Sequence, residues 1–200
     1  MSLLDALQAK RSKLKSCQTI VTNAAGERFM ENTSTQEMQK LVTDKTYGFV
    51  VDTKPDYKPA CILEDFLYLG SQDAVTLENI EQYQLTHILS MGIECPLQDL
   101  PKKINNLFLA CLDLPEASLK DVIFKEAFDF IESARLLEAG RVLVHCNAGV
   151  SRSASVVIAY LMRYSDMDFE KAFKHVKSRR ECIQPNAGFM RQLREFEQVD

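Results

Sequence analysis

With 200 residues, 46% of them hydrophobic and 26% charged, the chain suits one domain of about 150 residues plus an extension, built around an ordinary soluble core. A formal net charge of -4 argues against a nucleic-acid-binding surface, and no apolar run approaches the roughly 20 residues that span a bilayer. The six cysteines (Cys17, Cys61, Cys95, Cys111, Cys146 and Cys182) are scattered, with no Cys-x-x-Cys pair to hold zinc. Met1-Ser-Leu-Leu-Asp5 reads neither as a secretory leader nor as a myristoylation site. The expected compartment is therefore reducing, the cytoplasm with the nucleus also accessible, and Cys146 is expected to stay a free thiol.

In chain order, Leu3 to Leu14 predicts a short helix ending in Lys10, Arg11, Lys13 and Lys15. This basic cluster reads as a solvated face, with a docking segment for an acidic partner as the alternative. Thr19 to Met30 predicts a hairpin around Asn23-Ala-Ala-Gly26, and Lys54-Pro-Asp-Tyr-Lys-Pro59 a linker. The expected organisation is an N-terminal extension over residues 1–57, a candidate docking segment, and a catalytic domain over 58–200.

The domain opens with two predicted strands, Cys61 to Glu64 and Phe66 to Leu69, after which Ser71 is a candidate helix N-cap. A helix over Leu77 to Leu85 follows, then buried strands over Thr86 to Met91 and Asn106 to Leu112. His87 reads as a structural histidine. Phe124 to Ala139 repeats apolar residues at helical spacing, and Gly140 closes it before a strand over Arg141 to Val144. Ala154 to Met162, apolar nearly all round, predicts a buried helix. Helices over Phe169 to Arg179 and Gly188 to Gln198 complete an α/β domain, a central mixed sheet flanked by helices.

The chemistry concentrates where the strand ending at Val144 turns into the Ala154 helix. Cys146 is followed by five residues, then Arg152 and Ser153. The first N–H groups of a helix lack intrahelical partners, and the helix dipole makes that end positive, so the turn predicts a hollow for a phosphate-sized anion. Asn147, Ala148, Gly149, Val150 and Ser151 would line it, with Gly149 allowing a positive φ. A positive helix end also favours the thiolate, the nucleophilic form of a cysteine. The Arg152 guanidinium matches two phosphate oxygens as lysine cannot. Ser153 can donate to the sulfur, and His145 is expected to order the loop by hydrogen bonds. A cysteine nucleophile needs a carboxyl group to protonate the leaving oxygen and then to activate water. Asp113, directly after a predicted strand and before Leu114-Pro115, is the candidate, with Glu116 and Asp121 as rivals on the same loop.

His145-Cys146, five residues, Arg152-Ser153 resembles the signature of the cysteine-dependent protein tyrosine phosphatases. Phe66-Leu-Tyr-Leu-Gly-Ser71, Leu85-Thr-His-Ile-Leu89 and Pro185-Asn-Ala-Gly-Phe-Met-Arg-Gln-Leu193 resemble the dual-specificity branch, over about residues 60 to 200. No rhodanese-like kinase-binding segment is visible ahead of the domain, which resembles the atypical members. The resemblance implies hydrolysis of phosphotyrosine and phosphoserine or phosphothreonine through a cysteinyl-phosphate, without metal or other cofactor. It makes Asp113 the general acid and Asn186 a support of the phosphate loop. The implied partners are phosphoproteins, protein kinases of a stress or MAP-kinase cascade among them. The uncharged loop Asn147 to Ser151 speaks against phosphoinositide and RNA 5′-triphosphate substrates. A sulfur transferase would lack the Asp113 and Ser153 partners. A scaffold that binds kinases, with or without catalysis, is the alternative.

Overall fold

The computed structural model describes residues 18–22, 28–32, 37–40, 56–93, 100–120 and 122–197. The chain divides into two units, Met1–Thr46 and Tyr47–Asp200. In the first, β1 (Gln18–Thr22) and β2 (Arg28–Asn32) pair antiparallel, Gln18 with Asn32 and Thr22 with Arg28, as expected for the hairpin. A third strand, β3 (Glu37–Lys40), extends this sheet beside β2; its mixed polar sequence carried no strand signal. The helix expected over Leu3 to Leu14 lies outside the described residues.

The second unit is built on a five-stranded sheet of β4 (Ala60–Leu63), β5 (Leu67–Gly70), β6 (His87–Gly92), β7 (Asn105–Ala110) and β8 (Val142–His145). The strand order is β4-β5-β8-β6-β7. Only β4 runs antiparallel to its neighbour, so the sheet is mixed, as expected. Strand side chains alternate between faces. Leu67, Leu69, Leu89, Val142 and Val144 enter one core cluster, while Tyr68, Ile88 and Leu143 enter the other. The first cluster is closed by α2 (Val122–Arg135), α3 (Arg152–Tyr164), α4 (Phe169–Arg179) and α5 (Ala187–Glu197); the second is closed by α1 (Leu77–Gln82).

The central place of α3 follows from its composition. Every residue from Ser153 to Leu161 is buried, so the helix has no wet face in this span and fills the interior beside β8. The short β8, fully buried with parallel neighbours on both sides, aims its carboxyl end at the N-terminus of α3. Loops at the carboxyl ends of parallel strands are where α/β sheets place ligand sites.

Two helices end several residues before their predicted ends. α1 stops at Gln82 because Gln84 takes φ 50°, and the Leu85 N–H turns back to Ile80 O at 2.9 Å while its side chain stays in the core. α2 stops at Arg135, and Leu136 and Leu137 face solvent. Ser71 precedes a 3-10 turn over Gln72–Ala74 without a side-chain cap bond. Its hydroxyl donates instead to Asp56 O at 2.9 Å, and Thr76 caps α1 by accepting from Asn79 N–H at 3.1 Å. No helix among the described residues is long and apolar enough to cross a membrane.

Candidate active site

The loop from Cys146 to Ser151 joins β8 to α3 and turns at Gly149, where φ is +64°. A Cβ there would meet Gly70 O at 2.3 Å, so both the conformation and the close approach require glycine. The loop's carbonyls are held from outside. Asn147 O accepts from Gln72 N–H at 2.9 Å, Val150 O from Gln184 N–H at 2.8 Å, and Ser151 O from Ser155 N–H at 2.9 Å. Arg180 holds the two between them, Nη2 donating to Ala148 O at 3.0 Å and Nε to Gly149 O at 2.9 Å.

A planar trans peptide points its N–H opposite its C=O. Fixing the carbonyls of residues 147 to 151 outward therefore turns the N–H groups of residues 148 to 152 inward, over Cys146. Among the described residues, none of these N–H groups donates to a backbone acceptor. Buried N–H groups are nearly always paired, so a row of free ones, at the positive end of a 13-residue helix, is suited to an anion.

Cys146 lies beneath this row, its side chain largely enclosed. The Ser153 hydroxyl donates to its sulfur at 3.1 Å. His145 is buried, and burial pushes its imidazole down to about 4. Its Nδ1 lies 3.3 Å from Cys146 O, which can only accept, so Nδ1 carries the proton and Nε2 accepts from the Ser90 hydroxyl at 2.7 Å. A ring neutral at pH 7 and engaged at both nitrogens is suited to ordering the loop and not to transferring a proton. Cys111, by contrast, is pushed up to about 11 by burial and stays a thiol.

The loop that carries Asp113 follows β7. Asp113 reaches the Cys146 loop: Oδ1 accepts from the Ser151 hydroxyl at 2.7 Å and from Asn186 Nδ2 at 2.9 Å. Oδ2 lies 3.5 Å from Arg152 Nε, which is buried without a hydrogen-bond partner. Arg152 Nη1 also donates to Cys111 O at 3.3 Å. Burial raises the Asp113 pKa above the usual carboxylate range, against the lowering effect of the Ser151 and Asn186 hydrogen bonds and the Arg152 charge. Of the rivals, Glu116 is exposed on the turn beyond Pro115, and Asp121 lies outside the described residues. Asn186 makes two further contacts. Its N–H donates to Ser151 Oγ at 3.1 Å, and its Oδ1 accepts from Phe189 N–H at 2.9 Å, capping α5.

The structure therefore brings together Cys146, Arg152, Ser153, Asp113, His145, Asn186 and the loop amides. Ser151, expected only to line the loop, is also the junction between the two loops. Two further residues carried no local signal: Ser90 fixes the His145 ring, and Arg180 clamps the loop from behind. Arg180, the residue after α4, is only 6% exposed. Among the described residues no group of three His, Cys, Asp or Glu side chains is placed to hold a metal ion.

The family description "Dual specificity phosphatase, catalytic domain" matches residues 67–199. Among proteins of similar sequence, dual specificity protein phosphatase 19 of Mus musculus is 37% identical over 195 residues, covering 94% of this chain and 86% of its own. Among solved structures, DUSP15 superposes with a TM-score of 0.65 at 35% identity, over 70% of this chain and 88% of that one. The human tyrosine phosphatase-like serine/threonine/tyrosine-interacting protein gives 0.63 at 34%, over 72% and 97%.

Proposed function

From the premise that this chain belongs to the dual-specificity phosphatase family and is a dual-specificity protein phosphatase, we propose that it works through a cysteinyl-phosphate held in the Cys146–Arg152 loop. The carrying observation is a sulfur accepting the Ser153 hydroxyl beneath a row of unpaired backbone N–H groups. The phosphoryl oxygens of phosphotyrosine, phosphoserine or phosphothreonine lie on the N–H groups of residues 148 to 152 and on the Arg152 guanidinium. These donors stabilise the charge that develops on the equatorial oxygens. The Cys146 thiolate attacks phosphorus in line, the P–O bond to the substrate oxygen breaks, and neutral Asp113 gives that oxygen its proton. The Asp113 carboxylate then takes a proton from water as it attacks the cysteinyl-phosphate. Inorganic phosphate leaves and the thiolate returns, stabilised by Ser153. The reaction needs no metal, because side chains supply both nucleophile and acid.

The proposed organisation is an extension over residues 1–57 that docks partners and a catalytic domain over 58–200. The proposed substrates are phosphoproteins, protein kinases of a stress or MAP-kinase cascade foremost, met in the cytoplasm or nucleus. The similarity to dual specificity protein phosphatase 19 and the uncharged loop, which offers nothing to additional phosphates, support this reading. A second reading keeps the chain as a kinase scaffold. Its support is the likeness to a protein named as phosphatase-like and interacting, together with a β1–β3 sheet in a unit separate from the site residues.

The test is hydrolysis of an aryl phosphate and of doubly phosphorylated MAP-kinase activation-loop peptides in the presence of a chelator. Wild-type turnover, inhibition by vanadate and a silent Cys146→Ser protein are expected. An inert wild type, or a Cys146→Ser protein as active as wild type, removes the mechanism and leaves the scaffold.

A further inference from the structure

Arg180 is the first residue after α4, and nothing in the reaction above uses it. Burying an arginine is costly unless its charge and donors are met. They are met in an unusual place. Nε donates to Gly149 O at 2.9 Å and Nη2 to Ala148 O at 3.0 Å, so one side chain holds two of the five carbonyls whose peptide planes form the anion loop. Gly149 packs so closely on this group that a Cβ there would lie 2.8 Å from Arg180 Nη2.

The same Nη2 pairs with Asp56 Oδ2 at 2.5 Å. Asp56 is itself fixed, its carbonyl accepting from the Ser71 hydroxyl at 2.9 Å. The next carbonyl, of Tyr57, accepts from Asn79 Nδ2 at 2.6 Å. A chain of contacts thus runs from β5 and α1 through Asp56 and Arg180 to the outer side of the loop.

We propose that Arg180 is a positioning residue for the phosphatase reaction, and that Asp56 orients it. Arg180 touches neither phosphate nor sulfur. By drawing the Ala148 and Gly149 carbonyls outward it turns the Gly149 and Val150 N–H groups inward, because each N–H is antiparallel to the carbonyl of the preceding residue. Without this hold the two peptide planes can rotate, presenting carbonyl oxygens to an anion in place of N–H groups. Lysine cannot substitute, since a single ammonium does not reproduce a planar fork that reaches two carbonyls at once. Asp56 balances the buried charge and keeps the fork from swinging toward the bound oxyanion. The assignment rests on the loop being the phosphoryl site proposed above. It also gives Asp56, within the residues 1–57 read as an extension, a part in the geometry of the catalytic site.

The test uses full-length chains with Arg180→Lys, Asp56→Asn and Asp56→Glu, measured for aryl phosphate kcat and KM, vanadate inhibition constant and Tm. Vanadate reports the oxyanion geometry directly. For Arg180→Lys, kcat should fall and the vanadate inhibition constant should rise together, each about 10- to 100-fold, as for misplacement of a charge-stabilising group. For Asp56→Asn, both should move roughly three- to tenfold, the scale of one ordinary net hydrogen bond. Asp56→Glu should restore most of the loss.

Variants that lose Tm but keep wild-type kcat and vanadate affinity would show a merely structural ion pair and overturn the assignment. If Arg180→Lys does not fold, the two Asp56 variants decide by the same criteria. An active wild type with unaffected variants removes only the positioning role. A wild type that neither hydrolyses aryl phosphate nor binds vanadate removes the phosphatase mechanism and this assignment with it.

Discussion

Two loops meet at the site, and they are held in different ways. The Cys146–Ser151 loop after β8 is anchored at every carbonyl: by His145, by Gln72, by Arg180 twice, by Gln184 and by Ser155. The loop after β7 has fewer ties near its chemistry. Asp113 is held by its side chain alone, between Ser151, Asn186 and Arg152, with exposed Leu112 and Leu114 on either side. Further along, Gln192 braces the chain, accepting from Leu119 N–H and donating to Ala117 O, each at 2.8 Å. In the proposed mechanism the oxyanion groups belong to fixed backbone, and charge stabilisation rewards dipoles that need no reorganisation. The proton donor of that mechanism serves two steps in succession, and a side chain on a less tethered loop suits that.

Breaking the fixed loop should cost most. Arg152→Lys should lower kcat/KM on aryl phosphate about 1,000-fold, because one point charge replaces two parallel hydrogen bonds. A near-normal rate would show that the amides alone carry the phosphoryl charge. Next, Asp113→Asn should lower kcat about 100- to 1,000-fold. Its raised pKa keeps the carboxyl neutral to higher pH than an ordinary carboxylate. Wild-type activity should therefore fall as pH rises through that pKa, and the basic limb of the pH–rate profile should flatten in the variant. A surviving basic limb would move the acid role to Glu116 or Asp121.

The fixed loop also predicts a stability signature. The His145 ring accepts a proton only near pH 4 in the folded chain, against about 6.5 when unfolded. Between these values the unfolded chain binds more protons, so stability falls as pH falls. At about 1.4 kcal/mol per pH unit the loss reaches about 3 kcal/mol. Denaturant titrations of wild type and His145→Gln between pH 7 and 4 should show the variant with a shallower decline. Parallel declines would assign the acid lability elsewhere.

The smallest effect sharpens the other side of the contrast. A Cβ at Gly188 would fall 1.9 Å from Pro115 O, so Gly188→Ala must push the acid loop outward. Turnover should drop about tenfold on phosphothreonine peptides, whose alkoxide leaving group needs the acid. It should drop less on nitrophenyl phosphate, which needs it little. Equal losses on both would mean that the anion loop had shifted instead.

The strands, the helices and the kernel of the site were legible because they depend on neighbours in sequence. Val142 to Val144 and the apolar run after Ser153 dictate strand and buried helix. Cys146 and Arg152 then fall at the turn between them whatever the rest of the chain does. Ser153, the second residue of the helix that follows the loop, reaches its sulfur for the same local reason. The third strand, β3, and the early end of α1 were not legible, since the first is polar and the second turns on one positive φ at Gln84.

Sequence alone thus determined that a strand-to-helix turn carrying a cysteine exists, through the local geometry of a strand entering a helix. Tertiary structure alone decided which distant groups complete it. Ser90 reaches His145 across adjacent strands, Asp113 and Asn186 converge on Ser151 from separate loops, and Arg180 joins Asp56 to the loop's outer side. Helical and strand periodicities record which face of an element is apolar. They do not record where the ends of separate elements meet, and those meetings set the peptide planes and the carboxyl group on which the chemistry depends.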